Sequence, residues 1–126
     1  RSQLIETAHN HVIVDAYNAN PTSMRAAIRN LAEMAVGPKA LLLGDMKELG
    51  DKSREEHQRI VDLIQEYSFK EVLLIGAEFS KTKSPFRCFE SMDESIEYLK
   101  DKPLSGFYIL VKGSRGMRLE RLIEFL

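Results

Sequence analysis

Four short apolar runs constrain this chain most: Val12-Ile-Val14, Ala40-Leu-Leu-Leu43, Val72-Leu-Leu-Ile75 and Phe107-Tyr-Ile-Leu-Val111. They do not alternate apolar with polar residues, as a strand with one wet face does. Near-continuous apolarity is the pattern of parallel strands covered on both sides. Segments of helical period lie between them. Residues 21–35 place Met24, Ala27, Ile28, Leu31 and Ala35 on one face, and residues 54–67 do the same with His57, Ile60, Val61, Ile64 and Tyr67. Asn20 and Pro21 read as the N-cap and first residue of the first helix. Ser53 with Glu56, and Ser91 with Glu94, have the spacing of capping boxes. A last helix over about 115–126 would bury Leu119, Leu122, Ile123 and Leu126. Leu4-Ile5 suits an extra edge strand, and Arg87-Cys-Phe89 a short one. The alternation predicts one α/β domain, a mostly parallel sheet with helices on both faces.

Bulk properties narrow the function classes. A chain of 126 residues suits a single domain that buries roughly two-thirds of its unfolded surface. Its net charge of −1, with 29% charged residues, argues against a bulk nucleic-acid or membrane-surface binder. One cysteine, Cys88, leaves no intramolecular disulfide and suits a reducing compartment. No apolar stretch approaches the ~20 residues of a membrane span. The first fifteen residues hold Arg1, Glu6 and two histidines, unlike a signal peptide. Opening on Arg1 and then directly on strand-like sequence suggests a piece of a longer protein.

The polar residues are not scattered. The long strands run into Asp15-Ala-Tyr-Asn, Gly44-Asp45-Met-Lys-Glu, Gly76-Ala-Glu and Lys112-Gly-Ser-Arg115. Parallel strands bring such junctions to one rim, where open α/β sheets bind ligands. Asp15 suits a ribose diol, a cation or a cap on the following turn. Tyr17 suits stacking on a base or covering the sheet edge. Lys112 and Arg115, at a helix start, suit a phosphate or carboxylate; equally, Arg115 and Arg118 suit a solvated face with Glu120 and Glu124. Leu43-Gly-Asp-Met-Lys-Glu-Leu-Gly50 lacks the glycine-lysine-threonine ending of a phosphate loop. His57, on an apolar helix face, reads as a hydrogen-bonded core-edge histidine more readily than as a catalyst.

Asp15-Ala-Tyr-Asn-Ala-Asn-Pro-Thr-Ser-Met24, Leu43-Gly-Asp-Met-Lys-Glu-Leu-Gly50 and Val111-Lys-Gly-Ser-Arg-Gly-Met-Arg-Leu-Glu120 together resemble the carboxy-terminal domain of the Mur ligases. The resemblance spans essentially the whole chain, 1–126, and is nearest to members that join D-Ala-D-Ala to a UDP-N-acetylmuramoyl-tripeptide. It implies a Rossmann-like fold in a three-domain, ATP-dependent enzyme of bacterial peptidoglycan synthesis. The amino-terminal domain would hold the UDP-sugar peptide. A central domain, which this chain does not match, would carry the phosphate loop, the Mg2+ ligands and a carbamylated lysine. The resemblance puts Arg1, Asp15, Tyr17 and Asn18 on the ATP side and Asp45, Glu48, Lys112, Ser114 and Arg115 on the dipeptide side. It assigns no catalytic or metal-ligating residue to this chain, which alone would be inactive. It further implies a cytoplasmic monomer with no nucleic-acid or membrane partner. The rival readings are another Mur-type amino-acid ligase domain and a receiver-like α/β binding module. The pairing of Leu-Gly-Asp-Met with Lys-Gly-Ser-Arg disfavours the first. Asp15 lacks the neighbouring acidic pair that the second needs.

Overall fold

The computed structural model of the chain describes residues 2–126. Six strands form one sheet: β1 Gln3–Glu6, β2 His11–Asp15, β3 Lys39–Gly44, β4 Glu71–Ile75, β5 Arg87–Phe89 and β6 Tyr108–Lys112. Their order is β1-β2-β6-β3-β4-β5, with β1 antiparallel at the edge and every other pairing parallel. All four long runs and both short expected strands are present. The helices are α1 Pro21–Glu33, α2 Ser53–Ile64, α3 Ala77–Ser80 and α4 Met92–Asp101. Among the described residues no helix is long and apolar enough to cross a membrane.

The period of two along each strand builds two cores. Leu41, Leu43, Val72, Leu74 and Leu110 face α1 and α2, meeting Met24, Ile28, Leu31, Ile60, Val61 and Ile64. Ala40, Leu42, Leu73, Ile75, Ile109 and Val111 face the other way, toward Ile96 and Leu99 of α4 and the carboxy-terminal Leu119, Leu122 and Leu126. That double burial is why these strands carry no polar alternation.

Helix ends follow local chemistry. At α1 the Asn20 side chain accepts from Ser23 N–H at 2.8 Å, and the Ser23 hydroxyl accepts from Asn20 N–H at 3.1 Å. The helix stops at Glu33, so Ala35 of the 21–35 pattern lies beyond it and is exposed. The Ser53–Glu56 box does not form. The chain enters α2 from a 3-10 turn, Gly50–Lys52, so Lys52 is already near-helical and no extended capping position precedes Ser53. Ser91 does cap α4, accepting from Glu94 N–H, but the Glu94 carboxylate accepts from Glu90 N–H instead of Ser91.

The predicted last helix is corrected. Residues after β6 form two 3-10 segments, Arg115–Met117 and Leu119–Phe125, separated by Arg118 in the left-handed region at φ 54. This break drops Leu119 against Gly44 and Gly113, where a Cβ on Gly113 would lie 2.6 Å from the leucine side chain. Two glycines at adjacent strand ends thus make room for a core leucine beneath the rim.

Candidate functional site

Strand register gathers the rim. Asp15 pairs with Lys112 across β2 and β6, Leu43 with Lys112 across β3 and β6, and Gly44 with Ile75 across β3 and β4. The junctions expected to meet therefore do meet.

Lys112 is almost wholly buried, and a buried ammonium needs partners. Its Nζ donates to Asp15 Oδ2 at 2.7 Å and to the Asn18 carbonyl at 3.1 Å. Lys112, expected on the dipeptide side, instead serves the junction after β2. It fixes Asp15 and the backbone that carries Tyr17 and Asn18. The Asp15 side chain keeps 15% of its surface exposed, so the ion pair is inside the rim but reachable.

Asp45 is also corrected. It is 2% exposed, and its two oxygens accept from Glu78 N–H at 2.9 Å and Phe79 N–H at 3.0 Å. A strand-end carboxylate facing free helix-start amides is spent on them, as an N-cap would be. Gly76 makes this possible. Its φ is 126, and a Cβ there would sit 2.3 Å from the Asp45 carboxylate. The Asp45 backbone also binds on both sides, donating to the Ile75 carbonyl and accepting from Ser114 N–H at 3.0 Å. Asp45 therefore joins three strand ends instead of facing a ligand.

Glu48, Ser114 and Arg115 come together as expected. With Asn18, Ala19, Lys47 and Gly116 they line a cleft of about 250 Å³. Ser114 is 4% exposed, and its Oγ has no hydrogen-bond partner. A buried hydroxyl left unpaired is uncommon and asks for an explanation. Glu48 stands in the left-handed region at φ 64, a conformation that non-glycine residues adopt mainly where surroundings impose it. Arg115 is exposed, and its guanidinium lies over the Tyr17 ring at 4.8 Å. The two side chains also line a second cleft, about 290 Å³, with Gln3, Val14, Ala16 and Glu120. Arg115 thus borders both clefts. The expected helix start is instead a short 3-10 turn, so no α-helix dipole lies beside Arg115. Arg1, expected on the ATP side, lies outside the described residues.

The model of the family described as Mur ligase, glutamate ligase domain, matches residues 1–115. The chain belongs to the Mur ligase family. It is 31% identical to the UDP-N-acetylmuramoyl-tripeptide–D-alanyl-D-alanine ligase of Rickettsia prowazekii, over 99% of this chain and 29% of that protein. The crystal structure of MurF from Acinetobacter baumannii superposes with a TM-score of 0.78 at 32% identity, over 97% of this chain and 28% of that one. MurF from Thermotoga maritima, in complex with ADP, gives a TM-score of 0.81 at 26% identity, over 97% and 29%. The chain spans less than a third of the length of these relatives. The family and the Rossmann-like fold expected from the motifs are both met.

In this Mur ligase domain Lys47, not among the residues expected at the rim, lines the same cleft beside Glu48. The signal was present, since Lys47 lies between Asp45 and Glu48 in the motif. Burial turns Asp45 inward and leaves Lys47 and Glu48 exposed.

Proposed function

We propose that this chain is the carboxy-terminal domain of an ATP-dependent ligase that adds D-Ala-D-Ala to UDP-N-acetylmuramoyl-tripeptide in peptidoglycan synthesis. The complete enzyme acts as a monomer in the bacterial cytoplasm. ATP activates the tripeptide carboxylate as an acyl phosphate, and the dipeptide amine displaces phosphate to form the amide. This domain contributes no phosphate loop. Its part is to close over the nucleotide and to present the dipeptide.

On the nucleotide side the residues are Asp15, Tyr17 and Asn18, with Arg1 preceding them. Asp15, held by Lys112, accepts ribose hydroxyls, and Tyr17 offers an exposed aromatic face. The ADP complex of the Thermotoga maritima relative supports nucleotide use by the complete enzyme. On the acceptor side, Arg115 and Lys47 take the dipeptide carboxylate, Glu48 takes its amino end, and Ser114 Oγ hydrogen-bonds the peptide. The observation that carries this assignment is the buried, unpartnered Ser114 hydroxyl in a cleft bordered by both signs of charge. Asp15 faces an ammonium and Asp45 accepts from two backbone amides, so neither is offered here as a magnesium ligand. Mg2+ accordingly belongs to the central domain in this reading.

The test is steady-state kinetics of the complete ligase containing Arg115→Ala or Ser114→Ala, with D-Ala-D-Ala compared with its carboxamide. Direct recognition predicts that amidation costs the wild type much of its efficiency and costs Arg115→Ala little more. An equal amidation penalty in both enzymes removes Arg115 from the site. Phosphate release that answers to another amino acid, and not to D-Ala-D-Ala, overturns the substrate. The isolated 126-residue domain should fold and release no phosphate from ATP.

A further inference from the structure

His57 is fully buried in α2, yet its ring nitrogens are both used outside the apolar core. Nδ1 lies 2.7 Å from the Ser53 carbonyl, an oxygen that can only accept. Nε2 lies 3.0 Å from Met46 N, an amide that can only donate. Together the two contacts fix the tautomer: Nδ1 carries the proton, and Nε2 directs its lone pair at Met46. Phe79 meets the ring edge-on at 4.7 Å and 86°, and Phe79 is itself tied to Asp45 through its backbone amide. The ring is held on every side that matters to its direction.

What it holds is the loop that enters the acceptor-side cleft. Met46 precedes Lys47 and Glu48, the two exposed loop residues that line that cleft. Glu48 is in the left-handed region, a strained conformation that persists only where the surrounding structure holds it. On one side the loop is tied at Met46 by His57. On the other, Lys52 N–H donates to the Leu49 carbonyl at 3.0 Å. Between these two ties stand Lys47 and Glu48.

We infer that His57 is a positioning residue for the incoming amino component: its Nε2 grips Met46 N–H and so sets the pose of Lys47 and Glu48. It touches no substrate. The inference rests on the acceptor-side reading of the cleft given above, and its test separates the two.

In the complete ligase, His57→Gln places an amide oxygen where it can still accept from Met46 N–H. The shorter His57→Asn side chain cannot reach. His57→Asn should raise the dipeptide KM about tenfold while ATP KM stays within about twofold, and His57→Gln should recover most of that loss. Melting temperatures of the two variants report any shared loss of packing. Equal kinetic losses in both, tracking their melting temperatures, would show a merely structural histidine and overturn the inference. Lys47→Ala serves as the control on the site. A dipeptide KM unchanged by Lys47→Ala refutes the acceptor-side reading itself. A KM raised by Lys47→Ala but unmoved by His57→Asn refutes only the role of His57. Hydrogen exchange on the wild-type ligase decides even if both variants fail to fold. Met46 N–H should exchange as slowly as core-strand amides, and exchange at the rate of exposed loop amides overturns the grip.

Discussion

Asp15 closes β2 and Asp45 follows β3, two aspartates on one rim with Lys112 between their strands. Their surroundings divide them. Asp15 meets a buried ammonium and stays partly exposed, whereas Asp45 meets two backbone amides and is sealed. A charge balanced by another charge can still offer hydrogen-bond capacity at the surface. A charge spread into amides that have no other acceptor becomes part of the frame. The junction after β2 therefore suits ligand contact, while the junction after β3 supplies the rigidity from which Lys47, Glu48 and Ser114 reach the cleft.

The sharpest way to break this contrast is at Lys112. Lys112→Ala removes the buried ammonium shared by Asp15 and the Asn18 carbonyl, and breaking a buried pair from one side costs about 3–5 kcal/mol. For a domain of this size that lowers Tm by roughly 10 °C or more. The double change Asp15→Asn with Lys112→Met should regain much of the loss. A thermal melt in which Lys112→Ala is near wild type would mean that the pair contributes little. In the complete ligase, Asp15→Ala should raise the apparent ATP KM by at least about tenfold, the worth of one charge-assisted hydrogen bond. Its UDP-substrate KM should hardly move.

Asp45→Asn is expected to behave in the opposite sense. An amide presents one oxygen and one NH2, so one of the Glu78 and Phe79 N–H groups loses its acceptor, a cost of about 1–3 kcal/mol. Denaturant midpoints should fall while the dipeptide KM of the folded variant holds. A raised dipeptide KM with unaltered stability would restore Asp45 to the site and dissolve the distinction between the two aspartates.

These cases show what residues alone could reveal. The four buried strands were legible because covering both faces leaves a run with no polar alternation. The rim was legible because parallel strands must end together. What each polar rim residue faces was not legible. Lys112 and Asp45 were read as ligand contacts from type and place, but their partners, Asn18 carbonyl and the amides after Gly76, are distant in sequence. The carboxy-terminal segment departs from a single helix for a related reason. Its apolar spacing fits an α-helix, yet Leu119 must reach the groove at Gly44 and Gly113, and Arg118 takes a left-handed turn to allow it.

A smaller effect is expected at Tyr17. Its ring supports Arg115 at 4.8 Å, and an exposed cation–π contact contributes about 0.5–1 kcal/mol. Tyr17→Ala should weaken dipeptide use roughly two- to fivefold, and Tyr17→Phe should preserve it. If Tyr17→Phe is as impaired as Tyr17→Ala, the hydroxyl, not the ring face, is what matters.

The smallest effect tests the frame through pH. The Ser53 hydroxyl donates to Glu78 at 2.6 Å and, more than any other cause, holds the Glu78 carboxyl below its ordinary range. Burial opposes that shift, and Lys81 adds to it. A carboxylate depressed in the folded state binds its proton more weakly there than in the unfolded chain. Its contribution is therefore complete above the ordinary glutamate range and is lost as pH falls through that range toward the depressed value. Because the Glu78 side chain is 28% exposed, the contribution should stay below about 1 kcal/mol. Urea midpoints of wild type and Glu78→Gln, measured from neutral to acid pH, should differ most at neutrality and converge on acidification. A gap that does not change with pH would separate Glu78 from the Ser53 bond.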